Sequence, residues 1–214
     1  VSGTALGSEA GILTYEPGNP LADATGYVRH PDIDLSITTG AVTSLREAQQ
    51  YDCLVMFLEE PWAKGDCRLL RQEHYVAVAS PELWVDGAEP NLAHATLLHV
   101  LAGTKRLQIW ENWFASLGIR HIDPRPGIAF STMDQAINAA VSGAGVAVVD
   151  APMAERDLAE HRLRRIGVHG LTGSHGYWFV EPRERALRDP AHSAVVALFQ
   201  SWLLDVSRSA DAAR

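Results

Sequence analysis

Three stretches of the chain carry residue types whose spacing suits chemistry. "NAAVSGAGVAVVD" (residues 138 to 150) holds two glycines in a GxG arrangement, the kind of pattern that cradles a phosphate when a strand precedes it and a helix follows. Here the order is reversed. Met133, Ala136, Ile137, Ala140 and Val141 repeat at helical spacing before the glycines, and Val146 to Val149 are small or β-branched after them. Gly143 therefore reads as the left-handed residue that ends a helix, and Gly145 as the entry to a strand. At the other end of that helix, "FSTMD" (130 to 134) offers Ser131 as a hydroxyl N-cap with Asp134 three residues on, a capping-box pattern. Backbone N–H groups at a helix start carry partial positive charge and suit a carboxylate or other anion. Two readings stay open: Ser131 as a plain cap, and Ser131 as a cap that also meets a ligand.

Other candidates for catalysis are weak. Glu59 with Glu60 and Asp32 with Asp34 are paired carboxylates, but the first pair sits in a turn before Pro61 and the second brackets a strand start. There is no GxSxG nucleophile elbow, and neither Cys53 nor Cys67 stands in a setting that signals activation. Two cysteines fit a reduced protein better than a disulfide scaffold. The nine histidines show no HExxH or His-with-CxxC spacing and most read as surface or half-buried residues, so no metal and no cofactor is expected. The chain is not expected to be an enzyme.

The elements that must position these residues follow from periodicity. Strand candidates are "IDLSIT" (33 to 38), "DCLVMF" (52 to 57), "YVAVA" (75 to 79), "LLHVL" (97 to 101), "GIAF" (127 to 130), "GVAVV" (145 to 149) and "GYWFVE" (176 to 181). Between them, Ile109, Trp110, Trp113, Phe114 and Leu117 make one apolar stripe, with Gly118 suited to the C-terminal cap. Near the end, Asp189 and Pro190 start a helix whose expected buried face is Val195, Leu198, Phe199, Trp202 and Val206. Strands alternating with helices give the α/β class. At 214 residues, 47% hydrophobic and 21% charged, the chain suits one large domain or two lobes. No linker divides it, so two lobes would be joined along ordered strands. A net charge of −8 and the absence of a Lys/Arg run argue against unaided nucleic-acid binding. No membrane span and no leader peptide are visible.

In chain order, "HPDIDLSITTG" (30 to 40), "YDCLVMF" (51 to 57), Trp62 followed by "RLLRQEHYVAVASPEL" (68 to 83), "LLH" (97 to 99), "W..WF" (110 to 114), "AAVSGAGVAVV" (139 to 149), "DLAEHRLRRI" (157 to 166) and "FQSWLL" (199 to 204) form a set. Together they resemble the effector-binding domain of LysR-type transcriptional regulators, in the branch with activators of glycine cleavage and of inducible β-lactamase. The resemblance spans about residues 28 to 206; the Gly- and Pro-containing stretch 8 to 26 departs from the family's first helix.

The resemblance implies two Rossmann-like lobes of the periplasmic-binding-protein-like type 2 fold, with a hinge of two crossing strands: residues 1–79 plus 180–214 as one lobe and 80–179 as the other. It implies a small polar or carboxylate-bearing effector in the inter-lobe cleft, lined by Ser2, Thr4, Thr39, Ser131, Thr132 and Tyr177. Each is a hydroxyl, and with no Arg assigned nearby, recognition is expected by hydrogen bonds rather than ion pairing. A homodimer or tetramer is implied, with residues 42 to 50 and 190 to 206 as amphipathic contact elements. The location implied is cytoplasmic. A full-length member begins with a winged helix-turn-helix; this chain resembles the regulatory part alone, so DNA contact, and any with RNA polymerase, is expected only through a further domain. The competing expectations are a solute-binding protein of a transport system and an α/β enzyme.

Overall fold

Among the described residues, the first strand forms where the apolar run after Asp52 meets a partner from far along the chain. The computed structural model describes residue 42, residues 44–183 and residues 190–212; the expected strand at 33 to 38 lies outside them. Helix α1 (Leu45–Ala48) opens on a capping box in which the Ser44 hydroxyl accepts from the Glu47 N–H and the Glu47 carboxylate accepts from the Ser44 N–H. Strand β1 (Leu54–Leu58) then pairs antiparallel with β8 (Leu171–Pro182), from Leu54 opposite Val180 to Leu58 opposite Gly176. In hydrogen-bonded order β8 lies between β1 and β2 (Gly65–Ala79).

Because side chains alternate across a strand, β1 and β8 feed two cores. Leu54, Met56 and Val180 pack with Val42 and Ala48 on one face. Val55 and Phe179 pack on the other with Leu70 and with Val196 and Leu203 of the C-terminal helix α5 (Pro190–Ala212). The face of α5 differs from the sequence expectation. Val196, Leu203 and Ser207 are buried, whereas Val195 and Leu198 remain 41% and 40% exposed; Phe199 and Trp202 pack at the margin. "AVVALFQSWLL" is apolar on overlapping stripes, and moving the stripe by one residue turns it by about 100°, so periodicity alone does not choose between them.

The second group of strands runs differently. The latter half of β2 pairs antiparallel with β6 (Val146–Asp150) and with the short β7 (Arg164–Arg165). Strand β3 (Leu97–Ala102) is parallel to both β6 and β5 (Ile128–Phe130) and closes a hairpin with β4 (Lys105–Arg106). Helix α2 (Ile109–Ser116) connects β4 to β5, α3 (Met133–Val141) connects β5 to β6, and α4 (Glu155–Ala159) follows β6. Parallel strands covered on both faces read as continuous apolar runs. That is why "LLHV" and "VAVV" show no alternation: Leu97, Val100, Val146 and Val148 meet Trp110, Trp113 and Phe114 of α2, and Leu98, Ala147 and Val149 meet Ile137 and Ala140 of α3. The stripe on α2 is buried as expected except for Leu117, which is 40% exposed.

The chain divides into two compact units, the described residues up to Glu73 together with those from Gly173 forming one, and His74–Thr172 the other. The outward crossing falls inside β2 and the return crossing inside β8. The expected boundaries at 79/80 and 179/180 fall later along these same two strands. No described helix is long and apolar enough to cross a membrane.

One histidine is buried. His99 on β3 is 3% exposed and its Nε2 lies 3.1 Å from the Pro126 carbonyl oxygen. Burial is the main cause that holds its pKa below the ordinary value; the Pro126 hydrogen bond works the other way. The unfolded chain then takes up a proton first as pH falls below about 6.5, and stability drops until the lower folded pKa is passed. Urea midpoints measured from pH 7.5 to pH 5 are expected to fall in wild type and to fall less in His99→Gln, which keeps an N–H donor for Pro126. Cys53 and Cys67 are both free thiols, and burial, with Asp52 and Glu181 nearby, pushes Cys53 up to about 12, far from a reactive thiolate.

Candidate functional site

Strands β3 and β5 are parallel, so their C-terminal ends lie at one edge, the edge where open α/β sheets place ligands. The chain leaves β5 at Phe130, and Ser131 and Thr132, both exposed, carry it into α3. The cap of α3 is Thr132, not Ser131. Thr132 is extended (φ −134°, ψ 156°) and its Oγ1 accepts from the Gln135 N–H at 3.3 Å. Gln135 Oε1 in turn accepts from the Ser131 N–H at 3.2 Å and from the Ser131 hydroxyl at 2.8 Å.

The capping pattern is satisfied twice in "STMDQ", once as Ser131 with Asp134 and once as Thr132 with Gln135. The longer glutamine reaches back over the turn, while Asp134 accepts from the Asn138 amide along the helix at 3.1 Å. The expected costs are assigned accordingly: Thr132→Ala loses about 0.5 to 2 kcal/mol with the cap, and Ser131→Ala, which leaves the cap intact, loses less. Thermal melts of the two variants check the order.

The glycines at the far end of α3 serve the fold. Gly143 has φ +75°, and the pair Gly143 N–H to Ala140 O and Ala144 N–H to Ala139 O, each 3.0 Å, is a Schellman ending. A Cβ on Gly145 would lie 2.2 Å from the Thr96 carbonyl oxygen, so this glycine admits the backbone of the segment entering β3. The GxG stretch is a helix exit followed by a strand, the wrong polarity for a phosphate cradle.

Tyr177 lies on β8 in the first unit, opposite Phe57 of β1. The two rings are 5.0 Å apart and tilted by 51°, and Phe57 also stacks on His175 at 5.0 Å and 20°. Arg71 of β2, only 3% exposed, holds its guanidinium 4.2 Å from the Tyr177 ring centroid. A cation over an aromatic face is attracted by the ring quadrupole. The picture of Tyr177 without an arginine nearby is therefore corrected. Glu73, 4% exposed, accepts from the His175 backbone N–H at 3.0 Å.

Of the residues expected at the site, Ser131 and Thr132 are brought together at the start of α3, and Tyr177 is placed in the other unit. Ser2, Thr4 and Thr39 lie outside the described residues. Arg71, Glu73, Phe57 and His175 were missed. For Arg71 and Glu73 the signal was "RQEH", a charged stretch next to the apolar run "YVAVA" on the same strand; Phe57 and His175 carried none. A separate groove of about 420 Å³ in the second unit, between Phe114, Ile119, Ile122 and Pro124 with Glu111 and Arg120 at its walls, contains none of the expected residues.

The LysR substrate binding domain family matches residues 27–204. The HTH-type transcriptional activator AmpR of Pseudomonas aeruginosa is 28% identical over 181 residues, covering 84% of this chain and 58% of AmpR. The glycine cleavage system transcriptional activator of Escherichia coli is 26% identical over 180 residues, covering 82% of this chain and 56% of the activator. The chain thus spans little more than half the length of these curated relatives. The X-ray structure of the effector domain of the transcriptional regulator AmpR of Pseudomonas aeruginosa superimposes with a TM-score of 0.73 at 26% identity over 90% of each chain. With a mixed α/β fold of this kind and a family match over most of its length, the chain belongs to the LysR substrate-binding domain family.

Proposed function

We propose that this chain senses a small polar or carboxylate-bearing effector on behalf of a LysR-type transcriptional regulator, with Ser131, Thr132 and Tyr177 as contacts. The observation that carries this reading is the exposed hydroxyl pair at the start of α3, set where parallel strands end, in a family whose matched relatives are transcriptional regulators. Ser2, Thr4 and Thr39 complete the proposed set. Hydroxyls and first-turn amides recognise an anionic or polar group through directed hydrogen bonds. The same reading carries assembly as a homodimer or tetramer in the cytoplasm, and DNA and RNA polymerase contact through the rest of a full-length regulator. The identities of the relatives weigh against the solute-binding alternative.

The test is mass spectrometry of small molecules released from natively purified, then denatured protein, followed by calorimetric titration with the molecule found. Tyr177→Phe and Ser131→Ala are each expected to weaken binding about threefold to tenfold, the worth of one hydrogen bond of about 0.5 to 1.5 kcal/mol. Unchanged affinity in both variants would move the site elsewhere and leave Ser131 and Thr132 as an ordinary helix start.

A further inference from the structure

Three consecutive residues at the end of the first unit's share of β2 each grip a different point on β8. The Arg71 guanidinium lies over the Tyr177 ring. The Gln72 side-chain amide donates to the Gly173 carbonyl oxygen at 3.0 Å. Glu73 Oε1 accepts from the His175 N–H at 3.0 Å and lies 3.9 Å from the same residue's Nδ1. The Glu73 carboxylate is buried, and it fills the space over Gly173: a Cβ built there would lie 1.7 Å from Oε1 and 2.3 Å from Cδ. Glycine at 173 and glutamate at 73 are thus matched in shape, and the carboxylate is matched to the amide of His175 in charge. His175 then carries the constraint onward, because its ring stacks on Phe57, which in turn packs on Tyr177.

We propose that Glu73 is a positioning residue: by occupying the space over Gly173 and holding the His175 amide, it fixes the stretch of β8 that presents Tyr177. The role rests on the reading of Tyr177 as an effector contact, but the hold itself is measurable with no ligand present. Loss of a hydrogen bond to a buried acceptor is read locally, as faster exchange of the amide it protects.

The experiment is amide hydrogen exchange by NMR on the ligand-free chain, read at His175 and, as a reference in the second unit, at Val148. It is combined with the ring resonances of Tyr177, assigned through Tyr177→Phe. Glu73→Met, which keeps length and removes the acceptor, is expected to speed His175 exchange about tenfold or more. The Tyr177 ring resonances should move with it, and Val148 exchange should not change. Glu73→Gln retains an oxygen acceptor and should stay within about threefold of wild type at His175. Gly173→Ala, which displaces the carboxylate while leaving Glu73 in place, should reproduce the Glu73→Met pattern.

Unchanged His175 exchange in Glu73→Met overturns the proposal, as does faster exchange with unmoved Tyr177 resonances. Equal acceleration at Val148 overturns it too, because the effect is then global. Should both substitutions prevent folding, the wild-type chain still decides: an unprotected His175 amide contradicts the hold. The effector reading fails separately, by unchanged affinity in Tyr177→Phe and Ser131→Ala.

Discussion

Gly127→Ala is expected to cost about 3 kcal/mol or more, a large part of the 5 to 15 kcal/mol that holds a domain folded. Gly127 has φ +140°, in a region that side chains rarely adopt, and strain there costs on the order of 1 to 3 kcal/mol by itself. Space adds to this. A Cβ at this position would lie 1.9 Å from the Leu97 carbonyl oxygen, 2.9 Å from its carbon and 3.0 Å from His99 Nε2. The obstructing atoms are backbone of β3, at the centre of the second unit's parallel strands, and cannot turn aside as the end of a long side chain can. Leu98 pairs with Ile128 and Val100 with Phe130 in the adjoining ladder, so any relief shifts β5 and, beyond it, Ser131 and Thr132. A fall in the denaturant midpoint equivalent to less than about 1 kcal/mol would show that the segment yields more easily than this geometry implies.

Trp110→Ala is expected to be comparably damaging, about 3 to 5 kcal/mol. Trp110 is 1% exposed, its ring packs on Phe114 at 5.2 Å, and its indole N–H donates to the Leu98 carbonyl oxygen at 2.9 Å. Alanine removes the apolar contact and the hydrogen bond together. Trp110→Phe separates them: most of the packing survives, and the remaining loss of about 1 to 3 kcal/mol is that of a carbonyl left without its donor. Scanning calorimetry of the two variants checks the order, with the alanine variant melting lowest. Equal melting temperatures would assign the whole effect to the hydrogen bond.

The parts of the fold legible in the sequence are those set by neighbours along the chain. The stripe on α2 needed only 3.6-residue periodicity, and the glycine endings at 118 and 143 needed only the left-handed turn after a helix, φ +69° and +75°. What stayed hidden depends on distant partners or on competing local solutions. Arg71 and Glu73 look like solvated charges until β8 arrives from a hundred residues away with Gly173, His175 and Tyr177. Ser131 and Thr132 offer two caps of nearly equal merit, and the choice falls to Gln135 because its side chain is one methylene longer than that of Asp134. The face of α5 was misplaced because the core of β1 and β8, not the helix's own pattern, selects Val196 and Leu203.

The second unit is an interruption in the first. Among the described residues it is the unbroken segment His74–Thr172, whereas the first unit takes chain from both sides of it. On a ribosome, where residues emerge in order, β2, β3, β5 and β6 are all present before β8 is made. Among the described strands β1 pairs with β8, so Leu54, Val55 and Met56 gain Phe179 and Val180 as neighbours only after the segment between them has been made. The later-coded unit thus has the means to fold first. The nascent chain meanwhile carries an apolar strand whose partner β8 is still to be made, the kind of edge that invites mispairing and chaperone capture. A polypeptide arrested near residue 170 would hold the described strands from β3 to β7 of the unit spanning His74–Thr172 while the other unit still lacks β8.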